Sequence, residues 1–146
     1  MAKARGLIAV DKKAGKILFL NPDTYETEVV LDNFEKNAHE LLVVPEANRA
    51  YVPIYGDGIH GRNPKPGHTL CVFDLSKRES LTSIDLQPLG APHTLKLGPD
   101  GLIYMSCENS AKVAVIDPKT DKMIGAIDVD SNNCHRLIIA PDGQRL

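Results

Sequence analysis

Three histidines of this 146-residue chain recur in matched surroundings and are the side chains best suited to chemistry. They are His39, His93 and His135, which follow one another after 54 and then 42 residues, and each precedes a proline by six residues. Imidazole binds zinc, copper, iron and nickel, and it acts as a general acid or base near neutral pH. The repetition predicts a site for a divalent transition metal or an anionic ligand. The alternative is that each histidine hydrogen-bonds the neighbouring repeat and only stabilises it.

The residue that follows each histidine differs between the repeats. It is Glu40 in the first, Thr94 in the second and Arg136 in the third. One carboxylate and one arginine at matching positions would make the site asymmetric, and the arginine fork suits carboxylate ligands. The ligand candidates are therefore the three histidines with Glu40 and Arg136, and the three histidines are the candidate metal ligands.

An insert over residues 55–68 explains why the first interval between histidines is longer than the second. Its candidate site residues are Asp57, His60, Arg62 and His68. Long loops inside compact repeats are often functional and often cluster on the binding face, so we predict a ligand-binding loop. The alternative is a flexible surface loop rich in glycine and proline.

The elements that must position these side chains are short β-strands. Apolar and polar residues alternate over stretches such as 94–97 and 126–129, and Pro-Asp-Gly clusters at 99–101 and 141–143 separate them. Period-two runs with such boundaries about every ten residues are typical of an all-β protein. Each period predicts four antiparallel strands, A to D from the inside outward, which is one blade of a β-propeller.

Two segments resemble a known repeat family. Ile103-Tyr104-Met105-Ser106, followed by residues 111–117, is similar to the YVTN-type propeller repeat, and residues 92–101 resemble its inner strand. The similarity covers nearly the whole chain and is strongest in the third and fourth repeats. The resemblance implies a ring of about seven blades in a family that includes lactonase-like and surface-layer proteins. It also implies that a Pro-His pair at this point is usual for the repeat.

We expect a single partial propeller domain over residues 1–146. Residues 1–34 should supply strands B to D of blade 1, residues 35–87 blade 2 with its insert, residues 88–130 blade 3, and residues 131–146 the first strand of blade 4. About three blade equivalents cannot surround an axis, since closed propellers have roughly four to eight blades. Either the chain is the N-terminal part of a longer propeller and lacks its C-terminal half, or a second copy completes the ring by strand exchange.

In such blades the D-to-A and B-to-C connections emerge on one face. The three histidines and the insert should therefore share the mouth of the central channel, where ligands favour a concave surface. Glu108 and Asn109 lie in the B-to-C connection of the third blade. We expect a solvated turn there, with a supporting role in ligand binding as the alternative.

Cysteine content and composition exclude several classes. Cys71, Cys107 and Cys134 form no Cys-x-x-Cys pair, which argues against a disulfide framework, a structural zinc site and haem attachment, and the first two should be buried. A net charge of −2 argues against a general nucleic-acid binder, and no apolar run approaches the ~20 residues of a membrane span. We expect a cytoplasmic protein if the N-terminus is native, and a periplasmic or extracellular one if a signal peptide was removed.

The sequence predicts a module that binds a small ligand or a protein at the mouth of the channel. The alternative is a lactonase-like hydrolase or lyase that uses the histidines, with or without a metal, as its site. No nucleophile elbow or His-Glu-x-x-His motif is present to favour one reaction.

Overall fold

The computed structural model describes residues 6–32, 34 and 37–146. Over these residues the chain forms eleven β-strands: β1 (Leu7–Asp11), β2 (Lys16–Leu20), β3 (Thr27–Leu31), β4 (Leu42–Val44), β5 (Arg49–Gly56), β6 (Pro66–Asp74), β7 (Glu79–Asp85), β8 (Pro92–Leu97), β9 (Ile103–Cys107), β10 (Lys112–Asp117) and β11 (Lys122–Asp128). Two single-turn 3₁₀ helices lie at Pro45–Ala47 and Glu108–Ser110. Within the described ranges, no helix has the length and apolar character needed to cross a membrane.

The strands pair in chain order into three antiparallel sheets that do not close into a ring. The first sheet is β1-β2-β3, the second β4-β5-β6-β7 and the third β8-β9-β10-β11. This confirms the prediction of an all-β protein built from successive antiparallel blades, and the three sheets have three, four and four strands.

The Pro-Asp-Gly cluster after β8 forms the tight turn that the sequence predicts. The N–H of Gly98 donates to the carbonyl of Leu102 at 2.7 Å, and the carboxylate of Asp100 accepts the N–H of Leu102 at 3.1 Å. Gly101 has φ of +81°, which an L-residue rarely adopts. The turn therefore sends β9 directly back along β8.

Two apolar layers hold consecutive sheets face to face. The layer between the second and third sheets contains Tyr51, Leu70, Val72, Leu95, Ile103 and Met105, and the layer between the first and second contains Ile17, Phe19, Val52, Ile54 and Phe73. Each fully buried apolar side chain of this size stabilises the fold by roughly 1.5–3 kcal/mol. Cys71 and Cys107 are buried, as predicted. The packing places the inner strands of the sheets side by side.

Residues 131–146 differ from the expected first strand of a fourth blade, because they contain no strand. A strand needs a paired neighbour, and this segment satisfies its backbone elsewhere. The carbonyl of His135 accepts the hydroxyl of Ser106 at 2.8 Å, and the N–H of Ala140 donates to the carbonyl of Arg145 at 2.9 Å.

The outer side of the third sheet is only partly covered by the segment that follows β11. Ile124 and Ile127 of β11 are 56% and 41% exposed, and Ile138 in the following segment is 76% exposed. An open groove lies on this side, lined by Pro99, Tyr104, Ile127, Ile139 and residues 142–146. The sheet thus ends the arc with an apolar surface.

Candidate functional site

Four imidazole rings form a row where the inner strands begin. The centroid of His39 lies 4.2 Å from that of His93, His93 lies 3.9 Å from His135, and His135 lies 4.0 Å from His60. The structure thus brings the three repeat histidines together and adds one histidine from the insert. We call these four side chains the imidazole row.

Three consecutive sheets position the repeat histidines. His93 is the second residue of β8. His39 precedes β4, and its N–H donates to the carbonyl of Pro53 in β5 at 3.1 Å. His135 follows β11 and is fixed by the bond from Ser106 of β9 to its carbonyl. Each imidazole therefore stands at the start of an inner segment.

His93 is the most enclosed member of the row. It is 1% exposed, its Nδ1 lies 3.1 Å from Oγ1 of Thr94, and its buried Nε2 has no hydrogen-bond partner among the described residues. Burial, with the neighbouring imidazoles of His39 and His135, lowers the pKa of His93 to about 3. The ring is therefore neutral at neutral pH and carries a lone pair on one of its two nitrogens.

His39 shares this character and lies next to a carboxylate. Its buried Nδ1 has no hydrogen-bond partner among the residues that the structure describes, and burial followed by the charge of Lys12 lowers its pKa. Oε1 of Glu40 lies 3.8 Å from Nδ1 of His39 and 3.8 Å from Nδ1 of His93. We call His39, Glu40 and His93 the His39 group; each offers a ligand atom within 4.8 Å of the others.

The structure differs from the solvated turn expected at Glu108, because this residue is 0% exposed. It opens the 3₁₀ turn after β9, and its N–H donates to the carbonyl of Ala91 at 3.0 Å. Ala111, the C-cap of that turn, has φ of +48°. The short turn is thereby fixed against the strand before it, which directs the carboxylate inward.

The Glu108 carboxylate contacts four donor groups from other segments. Oε1 accepts the N–H of Gly61 at 2.6 Å, and Oε2 accepts the phenol of Tyr55 at 3.0 Å. Nδ1 of His60 and Nδ1 of His135 lie 3.1 Å and 2.9 Å from Oε2. We call His60, Glu108 and His135 the Glu108 group; their ligand atoms also lie within 4.8 Å of one another.

These contacts decide the charge of Glu108. Burial alone would raise the pKa of its carboxyl, but the bonds from Gly61, His60, His135 and Tyr55 outweigh burial and lower the pKa to about 2. The carboxylate is therefore ionised at neutral pH. Among the described residues, only imidazoles, and no lysine or arginine, form an ion pair with it.

Tyr55 connects the two groups. It is 1% exposed, and its ring centroid lies 5.5 Å from those of both His39 and His93. Burial and the bond to Glu108 raise the pKa of Tyr55 to about 12, so the phenol donates its proton at neutral pH. Sequence reasoning missed both Tyr55 and the burial of Glu108. The available signals were that Tyr55 opens the predicted insert directly after an apolar run and that Glu108 lies on the predicted binding face.

The insert is shorter than its predicted bounds, because β5 and β6 extend into it and leave residues 57–65 as the connection. Its base requires glycine: a Cβ on Gly67 would lie 2.0 Å from the carbonyl oxygen of Ile54. Asn109 donates to the carbonyl of Asn63 at 2.9 Å, and Asn63 donates to the carbonyl of Tyr55 at 2.7 Å. The connection is thus anchored to the third sheet.

The other predicted site residues lie outside the two groups. His68 contacts the carbonyl of Leu89 through Nδ1 at 2.8 Å. Within the described residues, the side chains of Asp57 and Arg62 make no hydrogen bond or ion pair with the row; Arg62 pairs through its backbone with Ile59. Arg136 is exposed, and its charge helps to lower the pKa values of His39 and His93. The predicted trio of metal ligands is likewise divided, because His135 contacts Glu108 and not Glu40.

Each group combines two imidazoles with one carboxylate. This set suits zinc, iron and other transition metals, and it is poor in oxygen for Ca²⁺ or Mg²⁺. These residue types are therefore the ligands that a zinc or iron site would use.

Comparison with known proteins gives the fold. No family profile and no curated protein matches the chain. It is similar to the structure of Kuenenia stuttgartiensis hydrazine synthase, with a TM-score of 0.75 and 18% identity over 94% of this chain and 36% of that one. It is also similar to the dihydro-heme d1 dehydrogenase NirN in complex with DHE, with a TM-score of 0.64 and 13% identity over 96% of this chain and 26% of that one.

A third similar structure is the glutaminyl cyclase of Myxococcus xanthus. Its TM-score is 0.55, with 16% identity over 88% of this chain and 50% of that one. All three are β-propeller folds, and this chain spans between 26% and 50% of their lengths. At these identities the likeness shows the fold alone, which is that of a partial β-propeller.

Proposed function

We propose that this chain is a segment of a YVTN-like β-propeller that binds a divalent transition metal at the mouth of the central channel, through the His39 group. The observation that carries the proposal is Nδ1 of His39, which is buried without a hydrogen-bond partner among the described residues and lies 3.8 Å from Oε1 of Glu40. A buried, unpaired polar atom costs roughly 1–3 kcal/mol unless a ligand satisfies it.

The state of the imidazoles favours a cation over an anion. His39 and His93 both have lowered pKa values and are neutral at neutral pH. A neutral imidazole offers a lone pair to a metal, whereas an anion would need the protonated ring. A metal ion would therefore bind the buried rings in the neutral state that they already have, whereas an anion would first require their costly protonation.

The purely structural interpretation accounts less well for His93. It requires the side chain to hydrogen-bond the backbone of an adjacent blade. Instead, Nδ1 of His93 contacts Oγ1 of Thr94, the next residue in the chain, and Nε2 contacts no polar partner in the described part of the chain. The ring therefore does not join two blades by a hydrogen bond.

Metal analysis tests this proposal. Purified protein, dialysed against Zn²⁺ and then against metal-free buffer, should retain zinc, and His93→Ala should lose the ion of the His39 group. The matched control is His68→Ala, since His68 contacts the carbonyl of Leu89 outside the row. Zinc retention that is the same in wild type, His93→Ala and His68→Ala would overturn the proposal.

A second candidate, a lactonase-like hydrolase, is favoured by His60. Its side chain is 53% exposed while its Nδ1 contacts the buried carboxylate of Glu108 at 3.1 Å. A carboxylate that orients an exposed imidazole is the arrangement of a general base acting on water. Hydrolysis of a panel of lactones and esters, lost in His60→Ala and retained in His68→Ala, would support this activity. Equal rates in the two variants would exclude it.

We further propose that additional blades cover the third sheet. The exposed apolar residues of β11 and residue Ile138 support this, because a surface of this kind is usually covered by the next blade. The covering blades belong either to the rest of a longer propeller or to a second copy. Light scattering on the 146-residue chain distinguishes them, since a stable monomer at micromolar concentration excludes the second copy.

A further inference from the structure

We infer a second metal position in the Glu108 group, with Nδ1 of His60, Nδ1 of His135 and Oε2 of Glu108 as the ligand atoms. The insert would thereby contribute a metal ligand that the repeats do not supply. The inference adds a second ion to the proposed function, but it rests on a different observation from the unpaired nitrogen of His39.

That observation is a carboxylate in the interior without a permanent positive partner. Glu108 is 0% exposed, and no lysine or arginine of the described residues lies within ion-pair distance of it. Buried carboxylates are ordinarily paired with a cation or coordinate a metal. Among the described residues, the groups at Oε2 that can provide charge are two imidazoles, whose rings lie 4.0 Å apart. Two positive charges at that separation repel, whereas one divalent ion between the three groups satisfies them all.

The distances fit a shared ion. Nδ1 of His60 and Nδ1 of His135 lie 3.1 Å and 2.9 Å from the same oxygen of Glu108. Ligand atoms that share one zinc ion, with bonds of about 2.0–2.1 Å, lie roughly 3.0–3.4 Å apart. Two histidines and one carboxylate form the ligand set of many catalytic zinc sites and of non-haem iron sites. Small side-chain rotations would therefore convert the hydrogen-bonded cluster into a coordination sphere.

The groups that would orient these ligands are already in place. The N–H of Gly61 donates to Oε1 of Glu108, and the phenol of Tyr55 donates to Oε2. Metal-binding carboxylates usually accept such outer hydrogen bonds, which fix their orientation. Asn63 and Asn109 anchor the insert, so His60 is held at the row before any ion binds.

The two positions are adjacent in the row. The centroid of His93, in the His39 group, lies 3.9 Å from that of His135 in the Glu108 group, and Tyr55 contacts both groups. Because His60 is half exposed, the second position is the one that faces solvent. We therefore expect two ions per chain, of which the outer one exchanges faster.

Metal stoichiometry tests the inference. Co²⁺ and Zn²⁺ are titrated separately into the purified chain, with bound metal measured by elemental analysis and the Co²⁺ absorption spectrum recorded. We expect two ions per chain in wild type, one in His60→Ala and one in His39→Ala, with different Co²⁺ spectra for the two variants. His68→Ala should keep two. His60 is half exposed, so its substitution should leave the fold intact, which circular dichroism checks; Glu108→Gln serves as a second variant.

The outcomes separate the two proposals. One ion that is lost in His93→Ala and kept in His60→Ala overturns the second position and leaves the proposed function standing. One ion that is lost in His60→Ala and kept in His39→Ala supports the second position and overturns the first. No bound ion overturns both, and two ions that persist in His60→Ala overturn the assignment of this ligand set.

Discussion

The phenol oxygen of Tyr55 lies 3.0 Å from Oε2 of Glu108 and joins the second sheet to the third across 53 positions of the chain. Both residues are buried, so neither can exchange this bond for one to water. The pair therefore links the assembly of two sheets to the construction of the candidate site.

Removing the phenolic hydroxyl of Tyr55 should destabilise the fold while leaving the packing of its ring almost unchanged. Tyr55→Phe leaves one acceptor position of a buried carboxylate empty, and we expect a loss of about 1–3 kcal/mol in the free energy of unfolding. Urea denaturation measures the loss. The matched control is Tyr25→Phe, since Tyr25 is 69% exposed. Equal stability of the two variants would show that the bond is not maintained in solution.

The carboxylate of Glu108 should contribute more to the free energy of unfolding than the phenolic hydroxyl of Tyr55 does. Glu108→Gln places an amide group among four donors, and we expect a loss of about 3 kcal/mol in the free energy of unfolding. Glu46→Gln is the matched control, because Glu46 is an exposed acidic residue in the other single-turn 3₁₀ helix. Thermal unfolding compares the two. If Glu108→Gln were as stable as Glu46→Gln, the result would contradict the buried placement of Glu108.

Stability of the metal-free protein should fall on acidification below pH 6.5. The pKa of His93 is about 3 in the folded state and 6.5 in its ordinary state, so between these values the unfolded chain binds the additional proton. Stability therefore rises with pH through this window and falls as pH decreases. The pKa of Glu108, about 2 instead of 4.5, adds a loss as pH falls from 4.5 towards 2.

We expect the His93 contribution to be about 2–4 kcal/mol between pH 7 and pH 4. Urea denaturation in the presence of a chelator, repeated across this range, gives the pH profile. His93→Gln, which has no titrating ring, should show a flatter profile above pH 4.5. A wild-type profile as flat as that of the variant would mean that His93 titrates normally.

Metal ions should stabilise the folded chain selectively. A ligand at 100 times its Kd that binds only the folded state adds about 2.7 kcal/mol per site, which raises the Tm by several degrees. We expect this with Zn²⁺ or Co²⁺, reversed by a chelator, and no rise with Mg²⁺, which prefers oxygen ligands. Equal effects of Zn²⁺ and Mg²⁺ in a Tm measurement would indicate nonspecific binding.

The blade order was predictable because it depends on local patterns. Alternating runs and Pro-Asp-Gly turns specify strands and hairpins, and the equal step from each histidine to its proline places the three histidines at equivalent positions. The role of Glu108 was not predictable, because it depends on contacts between distant segments. Glu108 differs from a solvated acidic residue in a turn because its N–H donates to the carbonyl of Ala91 and because the insert covers its side chain.

His60 and the last segment show two other limits. His60 was one of several candidates in the insert, and only the path of residues 57–65 selects it from Asp57, Arg62 and His68. The strand expected in residues 131–146 depended on a neighbour. The position of residues 135–140 in the repeat predicts a strand that would form beside a partner. In the structure, the carbonyl of His135 instead accepts the hydroxyl of Ser106, and the N–H of Ala140 donates to the carbonyl of Arg145.

The insert joins the second sheet where Gly56 pairs with Pro66, a point at which an ordinary short hairpin would complete the blade. Residues 57–65 are therefore a module that can be exchanged while the strands on either side keep their register. Variation at the mouth of such a propeller then requires no redesign of the scaffold. Replacing this one segment would alter which donor atoms reach the row, and under the proposed metal binding it would change the metal selectivity.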